Sequence, residues 1–177
     1  MTAVASAPGL LPAEKLETTF RAIHAERMHG MPLVNEALRV EAVGFRRWEG
    51  RWLGVLITPW FMSLVLLPDV PGQWRSVPVR GSTGYVFPAG VFDFIGGHEP
   101  ALGEFQSCSL FSPMFEFAQH EVARATAEAV LAALFDAGTR AEPAAPRTVM
   151  CEGPDATAAA PVSKRDFLRG RWHGEST

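Results

Sequence analysis

The sequence predicts an α+β fold: an antiparallel meander sheet of about five or six strands packed with an N-terminal and a C-terminal helix, followed by a disordered tail. Three observations carry this. Apolar runs between Leu38 and Leu110 are separated by short breaks rich in Gly and Pro, whereas a parallel sheet needs helix-sized crossovers. Fourteen of the 18 aromatic residues lie between Phe45 and Phe117, which places the core there. Helical periodicity flanks that stretch on both sides. The length agrees, because a chain of roughly 150 residues buries about two-thirds of its unfolded surface and needs no disulfide or metal staple.

Pro12 to His29 reads as the first helix: Leu16, Phe20 and Ile23 recur at helical spacing, Glu14 and Glu17 sit where the helix dipole favours acids, and Gly30 and Pro32 end it. Leu38–Trp48 and Trp52–Thr58 flank Glu49-Gly50, a two-residue hairpin turn. Val43 and Phe45 alternate with Gly44 and Arg46 as on a half-buried strand, while Leu53–Ile57 is almost continuously apolar, as a central strand should be. Phe61–Leu67, Val79–Phe87, Val91–Ile95 and Glu104–Leu110 are the further strands, with Asp69–Val77, Pro88-Ala89-Gly90 and Gly96-Gly97 between them. Ser112-Pro113 is expected to open the last helix, Ser at the N-cap and Pro at the first helical position, running to about Phe135 with Phe115, Ala118, Val122, Ala125 and Ala129 on one face.

The domain plan is therefore a disordered segment over 1–11, a folded unit over 12–136, an Ala/Pro-rich linker over 137–162 and a basic tail over 163–177. The linker holds four prolines and eight alanines, too little apolar mass to offset chain entropy. Charge follows the same boundaries. The formal charge of −3 hides a net −4 over 1–136 and a net +3 over 163–171.

Several function classes drop out. A net acidic chain gives no case for nucleic acid, which is bound through many Lys and Arg contacts. Two cysteines exclude a four-cysteine zinc or iron–sulfur site. Met1–Gly9 lacks the features of a signal peptide, and Leu53–Leu67, interrupted by Thr58-Pro59 and Ser63, is shorter than the ~20 residues of a spanning helix, so a cytoplasmic protein without membrane insertion is expected. No phosphate loop, dinucleotide fingerprint or nucleophile elbow occurs; Gly81-Ser82-Thr83-Gly84 reads as a plain turn and His98 as part of an exposed loop. No catalytic residue, metal site or cofactor is expected.

What remains is binding chemistry. Pro59, Trp60, Phe61 and Met62 either fill the core or build an adaptable apolar groove for a partner. Cys108 reads as a buried small hydrophobe, with a redox or ligand-contacting role as the alternative. In the tail, Ser163-Lys164-Arg165-Asp166-Phe167-Leu168-Arg169 resembles the twin-arginine export consensus, with Lys164 in place of the first arginine. No hydrophobic region follows it, so it cannot export the chain. It is either a solvated basic tail or a tethered imitation of an export signal.

With RMHGMP (27–32), ALRVEAVGF (37–45), GVLITPWFMSLVLLP (54–68) and FQSCSLFSPMFEFAQHEVARATA (105–127), the stretch from Arg27 to Phe135 resembles the HybE-type assembly chaperones of nickel–iron hydrogenases, also called HupJ or HoxT. Glu36 departs from the pattern, standing where Pro is expected. Some relatives carry a rubredoxin-like module, which two cysteines cannot supply.

The resemblance implies a non-catalytic cytoplasmic chaperone whose partners are the small-subunit precursor, with its twin-arginine signal, and the large subunit. It brings no residue-level binding site. The side-chain chemistry points to Pro59, Trp60, Phe61 and Met62 together with Cys108, Ser112, Met114 and Phe115. A signal-like tail implies that Ser163–Arg169 occupies the chain's own partner groove until a precursor displaces it. The competing function is a redox or ligand-binding protein that uses Cys108 to protect a maturing metal centre from oxygen.

Overall fold

The structure, a computed structural model, describes residues 11–70 and 73–136. The expectations for 1–10, for the linker and for the tail lie outside the described residues.

Helix α1 (Pro12–Ile23) begins at Pro12, where the Glu14 carboxylate accepts the Leu11 N–H at 3.1 Å. It buries Leu16 and Phe20 and continues as one π-helical turn, His24–Met28, before Gly30 turns the chain with φ 76°. Six strands follow: β1 (Glu41–Trp48), β2 (Arg51–Ile57), β3 (Met62–Pro68), β4 (Ser82–Phe87), β5 (Gly90–Glu99) and β6 (Gly103–Phe111). The expected turn joins β1 to β2, and Glu49 and Gly50 both have positive φ, as a type I′ hairpin requires. Helix α2 (His120–Leu134) closes the described chain.

All strand pairs are antiparallel, in the order β1-β2-β3-β6-β5-β4. The sheet is thus two three-stranded meanders joined through β3 and β6, not one run of neighbours. The expected break at Gly96-Gly97 is absent, because β5 runs through both glycines to Glu99 and turns at 100–102. Ser82 to Gly84 belong to β4 rather than to a turn, and His98 lies on a strand.

The sheet is open but strongly curled. Trp48 at the end of β1 stacks on Phe87 of β4, the opposite edge, with ring centres 4.4 Å apart, and the Arg51 guanidinium lies 4.7 Å from the Tyr85 ring centre. The concave side holds the main core, from Leu53, Val55 and Ile57 through Met62, Leu64 and Cys108 to Phe94. Helix α2 packs over it through Ala123, Ala127, Val130, Leu131 and Leu134, small residues first, which permits close approach. The convex side has a smaller core in which α1 presses Leu16 and Phe20 onto Leu56, Trp60, Val65 and Leu67.

Two local expectations fail for identifiable reasons. Phe45 does not share a face with Val43: a β-bulge between Val43 and Arg46, with Gly44 at φ 62°, sends Val43 to the concave core and Phe45 to the convex one. Helix α2 does not start at Ser112-Pro113, a cis peptide, but at His120, because Asn35 donates side-chain hydrogen bonds to the carbonyls of Met114 and Phe117 and holds 112–119 in turns. The buried face of the helix shifts accordingly, and Phe115 and Val122, expected inside, are exposed.

Candidate functional site

The residues singled out from the sequence converge on the end of the sheet where β2 turns into β3 and β6 runs toward α2. Thr58 builds that turn: its N–H and hydroxyl both donate to the Phe61 carbonyl, and its hydroxyl accepts the Phe61 N–H at 2.9 Å. Pro59 then offers its carbonyl to the Asn35 N–H at 2.8 Å, while the Asn35 side chain reaches Met114 O and Phe117 O at 2.9 and 2.7 Å. Three chain segments are locked together around one amide side chain.

Within this junction the residues divide by depth. Trp60 lies under α1, 5.7 Å from His24 and edge-on to Phe61, which in turn meets Phe20 edge-on at 5.8 Å. Pro59, Trp60, Met62, Cys108 and Met114 are buried and Phe61 is half-buried, so among the described residues the aromatic run packs as core. Ser112 and Phe115 remain on the surface, Phe115 at 60% exposure, and Val122 follows one turn into α2 at 52%. Carboxylates neighbour these apolar side chains in sequence: Glu116 is exposed, and among the described residues Glu121 pairs with Arg39 at 3.9 Å.

The start of α2 is pinned from below. The Arg39 N–H donates to Nδ1 of buried His120, which leaves Nε2 to carry the proton and donate to the Glu41 carboxylate. Arg124 pairs with the same carboxylate at 3.3 Å. Sequence reasoning missed Asn35, Glu41 and His120, because each acts through a partner some 80 residues away.

A second exposed apolar surface lies on the convex side of β4 and β5, at Val86, Val91 and Ile95. Among the described residues no three His, Cys, Asp or Glu side chains come together as a metal site, and no helix is long and apolar enough to cross a membrane. Exposed apolar side chains and carboxylates therefore lie at the margins of the sheet.

Comparison with known proteins decides the family. The family model described as NiFe-hydrogenase assembly, chaperone, HybE matches residues 11–170. The chain belongs to this family. The hydrogenase expression/formation protein HupJ of Bradyrhizobium diazoefficiens is 41% identical over 162 residues, covering 88% of this chain and 85% of that one. The probable rubredoxin HupJ of Rhodobacter capsulatus is 39% identical over 143 residues, covering 77% of this chain but only 51% of that protein. The solution structure of HybE from Escherichia coli superposes with a TM-score of 0.58 at 24% identity, over 82% of this chain and 91% of that one, and supports the fold. The HybE-family match runs well past Asp136 and includes Ser163–Arg169.

Proposed function

We propose that this HybE-family protein is a non-catalytic cytoplasmic chaperone that holds nickel–iron hydrogenase subunits during assembly, namely the small-subunit precursor, through its twin-arginine signal, and the large subunit. The observation that carries this reading is the family match across 11–170. The surface chemistry supports it. A twin-arginine signal is basic at one end and apolar beyond, and the chain offers apolar side chains beside carboxylates on an acidic body. Ser112 and Phe115, clamped by Asn35 yet exposed, are the contact surface for a subunit, with Val122 beside them in sequence.

Affinity capture from cells making the hydrogenase tests the assignment. Small-subunit precursor, large subunit or both should come down with the wild-type chain, and Phe115→Ser should lower recovery several-fold without changing the melting temperature. Recovery of neither subunit would sink the assignment. The oxygen-protection reading through Cys108 has less support, since the thiol is 2% exposed inside the concave core. Cys108→Ser should retain subunit capture in air.

A further inference from the structure

The convex side of the β4–β5 hairpin has no cover among the described residues. The convex core reaches only as far as Phe105 of β6, whose ring lies across Gly97. Beyond it, strand register sets Val86 opposite Val91 and Gly84 opposite Asp93, with Ile95 two residues further along β5. Val86, Val91 and Ile95 are 74, 55 and 51% exposed, and Asp93 is exposed among them. One exposed valine is ordinary. Three aliphatic side chains on paired strands around a carboxylate that has no ion pair among the described residues form a patch suited to a short basic and apolar peptide.

The path of the chain identifies the occupant. The Ala89 N–H, in the β4–β5 turn, donates to Leu134 O at 3.2 Å, and Phe135 packs edge-on to Phe87. The chain therefore leaves α2 at the tip of this hairpin, a few residues from Val86 and Val91. A 26-residue connection, 137–162, leads from there to Ser163. A flexible coil of that length would span about 25–30 Å and would supply an effective concentration on the order of millimolar, enough for a weak contact to be populated. What it delivers is complementary: Phe167-Leu168 for the aliphatic strip, Lys164-Arg165 for Asp93, within a segment, 163–169, of net +2.

We propose that the convex face of the β4–β5 hairpin is the docking surface for this chain's own segment Ser163–Arg169. A consequence, which rests on the function proposed above, is that an export signal of the same chemistry competes for this face, so that the tail acts as a tethered placeholder.

A photo-crosslinking residue in place of exposed Val91, in the full-length chain, tests the docking. The expected product is an intramolecular link, in a monomer-mass species, to the peptide containing Phe167 and Leu168. Its yield should fall at least several-fold with Phe167→Ser plus Leu168→Ser, and with Asp93→Lys. Combining Asp93→Lys with Lys164→Glu and Arg165→Glu should restore part of it. Links only to other segments or to a second copy, or a yield indifferent to the tail substitutions, would overturn the proposal. Added twin-arginine signal peptide should lower the yield in a dose-dependent way; if the link forms but the peptide leaves it unmoved, the competition fails while the docking stands.

Discussion

Asn35 shows how much one side chain organises here. Its Nδ2 donates to two carbonyls of the 112–119 segment, its Oδ1 accepts the Ala37 N–H, and its own N–H satisfies Pro59. Replacing it by Ala strands two carbonyls in a part-buried setting, which costs about 1–3 kcal/mol. Urea denaturation of Asn35→Ala should show that loss, together with increased proteolytic cleavage between Ser112 and Gln119. Glu104 offers a pH test. Its carboxylate accepts from Trp74 Nε1 at 3.1 Å and Ser76 Oγ at 2.9 Å, and these bonds, led by Trp74, hold its pKa below the usual carboxylate range. A depressed folded-state pKa stabilises above the unfolded value of about 4.3, and that contribution is lost as pH falls through the folded value. Glu104→Gln should therefore flatten the acid limb of melting temperature against pH while leaving its neutral limb parallel to wild type.

Among the elements, β1 and α2 are where local pattern and tertiary packing part ways. The Glu49-Gly50 hairpin, the apolar run of β2 and the amphipathic α1 were legible because neighbours in sequence determine them. The bulge at Gly44 was not, since it answers to a helix nearly 90 residues later: a Cβ on Gly44 would stand 2.5 Å from Leu131 Cδ1, and φ is 62°. Gly44→Ala should destabilise by about 1–3 kcal/mol through strain and lost α2 contact, measurable by chemical denaturation. The same limit hid the true start of α2. Ser-Pro is a sound helix opening in isolation, and it lost to carbonyls already claimed by Asn35. It also governed the candidate site. Trp60 was recognisable as either core or groove, and only the position of α1 above it decides.

For the molecule as a whole, the curl of the sheet is the main determinant of shape. It depends on contact between strands at opposite edges, centred on Trp48 and Phe87. Trp48→Ala removes that stack and should cost about 3 kcal/mol. It should also speed hydrogen exchange in β1 and β4 more than in β3 and β6, which are paired on both sides; uniform acceleration would argue that the two edges do not depend on each other.

The pairing of β3 with β6 also constrains the order in which the protein can form. Each three-stranded meander closes from contacts near in sequence, whereas their union pairs residues 44 apart, such as Leu64 with Cys108, and the seating of α2 joins Glu41 to His120, 79 residues away, and Gly44 to Leu131. Such distant closures are slow, so folding is expected in the millisecond-to-second range typical of β-rich domains rather than the microseconds of helical bundles. During that interval the concave core lies open to solvent. An assembly chaperone of this build is itself, for a moment, a chain with its interior on show.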